Sequence, residues 1–151
     1  MTNNSGLSQS RKKAALIFGV FLLSIPSAFA DDAGHPGIFS ISPKTQLTER
    51  GTYPLDMRVG DFDGAFKREK VFSSSSNREN VVGFWESEAG VLRTEGYPVD
   101  EYCYVLEGDL LLIDADGRQQ TFGPGDTFVI PKGWVGTWNM KTRFKKQFVT
   151  F

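Results

Sequence analysis

Residues 101–140 read EYCYVLEGDLLLIDADGRQQTFGPGDTFVIPKGWVGTWNM, and their punctuation decides the fold. EYCYVLEG, DLLLID, TFVIP and WVGTWNM are short apolar segments, each closed by Gly, Asp or Pro. In LLLIDADGRQQTF, Asp116-Gly117 supplies left-handed positions between two apolar runs, so this stretch predicts a β-hairpin. GPGDTF sets two glycines and a proline before a strand, which forces a sharp reversal. Pro131 stands at a strand end, where its missing N–H costs nothing.

The same rhythm extends outward. FKREKVF (66–72) predicts a strand, SSSSNREN (73–80) a polar loop, and VVGFWESE (81–88) a strand closed by Ala89-Gly90. VLRTEGY (91–97) precedes Pro98, and RFKKQFVTF (143–151) ends the chain. Short strands at regular spacing, with 13 phenylalanines and abundant Gly and Pro, predict an all-β sandwich or barrel. No stretch of helical period lies beyond the N-terminus, and no internal repeat is present.

Two segments resemble the paired motifs of the cupin superfamily. EYCYVLEG places six residues between Glu101 and Gly108, as in the first cupin motif. GDTFVIPKG supplies Gly125, Pro131 and Gly133 at the spacing of the second. With GFWESEAG before them, these segments look like the cupin_3 (DUF861) subfamily that includes ureidoglycine aminohydrolase-like proteins. The resemblance covers residues 80–151 and implies a small RmlC-like jelly-roll β-barrel.

The departures bear on chemistry. Cupin metal sites use histidines with one carboxylate. The paired-histidine places hold Glu95 and Tyr97, the later histidine place is Gly136, and Glu101 alone is retained. The single histidine, His35, lies upstream of both motifs and is expected to be a solvated tail residue. A three-histidine, one-glutamate site cannot be assembled, so neither metal nor cofactor is expected; an all-oxygen site from Glu95, Glu101 and a water is the remaining metal reading.

Strand parity sketches the interior, since side chains alternate across a strand. If Glu101 points inward, Cys103 and Val105 follow; if Gly136 faces inward, so does Trp138. Aromatic bulk from Trp138 is then expected where a metal would sit. In the last strand, Phe144 and Phe148 claim the core face and bring Lys146 inward with them. The expected pocket residues are Glu101, Lys146, Trp138, Tyr97, Glu95, Cys103 and Trp85. Each has a plain structural reading as well. Glu101 is either a carboxylate bonded to backbone or Lys146, or a ligand-facing group. Lys146 is either a snorkelling edge lysine or a catalytic one. The tryptophans are core or ligand wall. Cys103 is a small buried hydrophobe, or a reactive thiol if exposed beside Lys146.

The N-terminus is a separate matter. Residues 1–30 hold Arg11, Lys12 and Lys13, a ten-residue apolar run (AALIFGVFLL), and small residues at Ala28 and Ala30. That order predicts a signal peptide cleaved after Ala30, because the run is too short to span a bilayer. Residues 31–48 predict a flexible arm, and 49–151 the barrel domain. Cleavage removes three basic and no acidic residues, leaving 14 basic against 18 acidic and a net charge of −4. No basic stripe survives for nucleic acid or anionic lipid. With Cys103 as its sole cysteine the domain can form no internal disulfide.

The expected protein is therefore periplasmic or secreted, and binds a small polar metabolite in the barrel. The alternative is a metal-independent hydrolase or isomerase acting on a small ureido, amino or sugar-like substrate. The resemblance also implies pairing of copies through outer sheets, so a homodimer is among the expected assemblies.

Overall fold

The computed structural model describes residues 38, 40–73 and 80–151. The expected signal peptide, His35 and most of the 73–80 loop lie outside the described residues. From residue 49 the chain runs through β1 (Glu49–Thr52), a 3-10 turn (Leu55–Met57), β2 (Arg58–Val59), β3 (Ala65–Ser73), β4 (Val81–Ser87), β5 (Gly90–Glu95) and β6 (Glu101–Glu107). It continues through β7 (Leu110–Asp114), β8 (Gln119–Phe122), β9 (Thr127–Ile130), β10 (Val135–Met140) and β11 (Phe144–Thr150).

Two antiparallel sheets result. One has the order β1-β3-β4-β11-β6-β9 and the other β2-β5-β10-β7-β8. From β4 onward almost every connection carries the chain from one sheet to the other, which is the winding of a jelly roll. The exception is the β7–β8 hairpin predicted from Asp116-Gly117. There Asp114 N–H donates to the Arg118 carbonyl at 2.9 Å, and Gly117 takes a left-handed φ of 86°.

The sheets close on an apolar core. Alternation is visible in the burial of β6, β10 and β11: Cys103 and Val105, Trp138 and Met140, and Phe144 and Phe148 point in. Leu92 of β5 and Leu110 and Leu112 of β7 face them. Each large side chain removed from water contributes about 2 kcal/mol. β4 differs, because Phe84 and Glu86 on its outer face are buried along with Val81, Trp85 and Ser87.

Gly108 fixes how closely the β6–β7 connection approaches the β10–β11 connection. Its φ is +82°, and a Cβ there would lie 2.1 Å from the Arg143 carbonyl oxygen. Only glycine fits both constraints.

Residues 40–48 carry no strand, yet part of this stretch is tied to the barrel. The Lys145 ammonium donates to the Pro43 carbonyl at 2.9 Å, and Thr48 N–H donates to Glu69 at 3.1 Å. β1 and β2 went unseen in the sequence. ERGT has no apolar alternation, and β2 has two residues, held by pairing to β5.

Candidate functional site

The inward positions of β4, β6 and β11 converge on one charged cluster. Lys146 lies opposite Trp85 on one side and Val105 on the other. A β-bulge at Lys145/Lys146 shifts the β6–β11 register there, a device that re-aims side chains beside functional sites. The Lys146 ammonium reaches past Cys103, with Nζ 3.6 Å from Sγ, and donates to Glu101 Oε1. The Cys103 thiol also donates to Glu101 Oε1, at 3.2 Å. The pair is almost wholly enclosed, with side-chain exposures of 6% for Lys146 and 9% for Glu101.

Aromatic rings surround the ammonium. Nζ lies 4.5 Å from the ring centre of Trp138, 5.6 Å from that of Trp85 and 5.9 Å from that of Phe148. These are cation–π distances, and they strengthen in a desolvated setting. Tyr97 stacks on Trp138 with centroids 6.2 Å apart. Tyr53, in the link from β1 to the 3-10 turn, packs on Phe66 at 4.9 Å and on Trp85 at 6.3 Å.

Burial sets the protonation states. It pushes the Cys103 thiol up to about 12 against the pull of Lys146, and Tyr53 likewise to about 12. Tyr97 is raised well above the ordinary phenol value for the same reason. For Lys146, burial works against the cation, but the charge of Glu101 and the hydrogen bond to it hold the ammonium. At neutral pH the cluster is one ammonium, one carboxylate, a thiol and two phenols, with no net charge.

The Trp85 indole Nε1 is buried, and Trp85 lies within side-chain hydrogen-bonding reach of Tyr53. Trp85 itself is 7% exposed.

Six of the seven expected pocket residues line this interior: Glu101, Lys146, Cys103, Trp138, Trp85 and the half-buried Tyr97. Glu95 does not, which corrects that expectation. On β5 the inward residues are Leu92 and Thr94, so Glu95, the next in line, faces out and is exposed. Leaving the strand at Gly96 then lets Tyr97 return to the core. Tyr53 was missed, because its link between β1 and the 3-10 turn carries no strand pattern that would aim it inward.

The source of bulk at Gly136 also needs correcting. Gly136, Trp138 and Met140 do share the inward face. The ring that fills the space over Gly136 is however that of Trp134: a Cβ at 136 would lie 2.2 Å from Trp134 Cζ2 and 2.5 Å from the Ile113 carbonyl oxygen. Trp134 is anchored by its indole N–H, which donates to Asp114 at 2.7 Å.

The EutQ-like cupin domain model matches residues 75–148. The barrel has the cupin fold. Among solved structures, the chain is similar to the Clostridium difficile EutQ protein at 20% identity and a TM-score of 0.55, covering 72% of this chain and 82% of that one. It is similar to a DUF861-family protein from Pseudomonas syringae pv. tomato at 18% identity and a TM-score of 0.66, over 76% of this chain and 48% of that one. A EutQ-type ethanolamine utilization protein from Salmonella typhimurium gives 17% identity and a TM-score of 0.50, over 71% and 98%. At these identities the likeness is one of fold. No curated protein matches.

The usual cupin metal does not fit this donor set. Of the four ligand places, Glu95 faces solvent, Tyr97 is a half-buried neutral phenol, and Gly136 is covered by Trp134. Glu101 points inward but is bonded to an ammonium. Among the described residues no three His, Cys, Asp or Glu side chains form a group that could hold a metal.

Proposed function

We propose that this is an exported cupin that binds a small polar metabolite inside the barrel, at the Lys146–Glu101 pair. The observation that carries the reading is that pair itself, a hydrogen-bonded charge couple set among aromatic walls on inward strand positions. Burying two charges is expensive, and apolar residues of like volume are often as stable or more so. A couple kept at the ligand end of a cupin barrel is therefore read as serving a ligand. The charged, apolar and Ala-x-Ala order of residues 1–30 supports export.

The alternative of a hydrolase or isomerase would draw on the same residues. Against it, Lys146 holds its proton and the Cys103 thiol ionises only near 12, so neither is an activated nucleophile.

The test is a thermal-shift screen of the purified protein against small polar metabolites. A ligand at a hundred times its Kd stabilises by about 2.7 kcal/mol. That shift should vanish in Lys146→Met, and a shift retained in full there would move the site elsewhere. Mass spectrometry of protein from the native host should find Asp31 at the N-terminus, and a full-length cytoplasmic product would overturn export.

A further inference from the structure

We propose that β9 pairs edge to edge with β9 of a second copy, so that two barrels share one continuous outer sheet. The inference stands apart from what the interior binds.

It starts from the backbone. β9 is the last strand of its sheet and pairs on one side with β6. At its start the Asp126 carbonyl accepts from Val105 N–H at 2.9 Å, so that carbonyl points at β6. Backbone groups alternate in direction along a strand. Phe128 and Ile130 therefore turn theirs to β6, while Thr127 and Val129 present N–H and C=O at the free edge. A row of that kind is a template for one more strand, because only an extended chain meets its donors and acceptors in step.

The side chains mark the same edge. Outward residues of neighbouring strands form rows, and one row reads Phe72, Val82, Val149, Tyr102 and Val129, from β3 through β4, β11 and β6 to β9. Every member is apolar or aromatic. Phe72, Tyr102 and Val129 are exposed, as is Tyr104 beside them, and Val129 most of all at 53%. Folded proteins usually blunt a free edge with charge. β1, at the other edge of this sheet, carries Glu49 and Arg50, and β2 carries Arg58. β9 reads TFVI, without charge, proline or glycine. β8 is uncharged too, but its outward residues, Gln119 and Thr121, are polar.

The edge also fits itself. Antiparallel pairing centred on Phe128 sets Thr127 opposite Val129 of the second copy, and satisfies the N–H and C=O of both. The outward row then runs from Tyr102 and Val129 to Thr127 and Tyr104 of the second copy, an aromatic–aliphatic pairing with no like charges opposed. One two-fold axis closes the edge in both copies at once, which a different partner strand would not do. The contact is small, so the dimer forms as concentration rises. On its inner side Phe128 packs against Trp138 at 5.9 Å, so pairing also braces a strand beside the Lys146–Glu101 couple.

The test uses the whole protein as purified from its host, from micromolar to millimolar concentration. Sedimentation gives the mass, and amide hydrogen exchange read residue by residue by NMR locates the contact. The mass should double as concentration rises. The Thr127 and Val129 amides should slow in step with it, while those of Phe128 and Ile130, turned to β6, stay slow throughout. Val129→Pro removes a donor that β6 does not use, and should weaken association about tenfold or more. If that variant does not fold, exchange in the unaltered chain still decides. A single-copy mass up to millimolar concentration would overturn the proposal. So would a dimer whose Thr127 and Val129 amides exchange freely, since its contact then lies on another surface. Slow exchange at both residues in a single-copy species would mean that a different strand covers the edge, and would overturn the second copy as its occupant.

Discussion

The Lys146–Glu101 couple can be opened from either side. Lys146→Met keeps an aliphatic side chain at 146 and removes the charge over Trp138, which strands the Glu101 carboxylate beside Cys103. Glu101→Gln keeps shape and strands the ammonium among rings. With only 6% and 9% of the two side chains exposed, solvent can do little to relieve the charge left behind. Each single change should therefore cost about 3–5 kcal/mol, the range for breaking a buried pair. In a domain of about 100 residues that lowers the Tm by about 15 °C or more. The double variant removes both charges, so its loss should fall short of the sum by about 2 kcal/mol. Urea denaturation of the four proteins gives the cycle, with m-values checking that unfolding stays two-state. Losses that add to within about 0.5 kcal/mol would refute the coupling. A single variant costing less than about 1 kcal/mol would show that the pair behaves like an exposed one.

Other outcomes follow from particular contacts. Gly136→Ala puts a methyl group 2.2 Å from Trp134 and 2.5 Å from the Ile113 carbonyl, and should cost about 1–3 kcal/mol by denaturant titration; a neutral result would mean the strand yields easily. Cys103 is fully buried and its thiol ionises only near 12. Its alkylation by iodoacetamide should stay negligible from about pH 7 to pH 9 in the folded protein and appear on unfolding, whereas an ordinary thiol ionises across that range. Burial opposes the charge of Glu86, but hydrogen bonds from Lys67 at 3.1 Å and Arg143 at 2.8 Å prevail and hold its carboxyl below the usual range. Because the folded value lies below the unfolded one, this contribution is present above about pH 4.3 and is lost as the pH falls through the folded value. Glu86→Gln should flatten the acid limb of the stability curve; an unchanged limb would assign acid lability to other groups.

The strands from β3 onward, and the inward set Glu101, Cys103, Trp138 and Lys146, were legible because a period of two ties residue number to sheet face. That logic holds only while a strand lasts. Glu95 was taken for a pocket residue from its place in a motif, although counting from Leu92 and Thr94 turns it outward. Tyr53 reaches the cluster from a link whose position is set by tertiary packing against Phe66 and Trp85, and no local pattern encodes that. Trp134 left a fainter trace. The glycine two residues after it, on an otherwise inward face of β10, was a sign that something large lies over the strand.

That arrangement also governs which mutational paths are open. A ligating side chain at 136 meets the Trp134 ring and, behind it, the backbone of β7 at Ile113. Replacing Trp134 clears the first obstacle and leaves the second, since no substitution deletes a main-chain carbonyl. Taken in the other order, losing Trp134 first abandons the hydrogen bond to Asp114 and uncovers the glycine, with nothing gained in that step. Each order thus carries a cost before any gain, and a ligating side chain at 136 needs β7 and β10 to give way together.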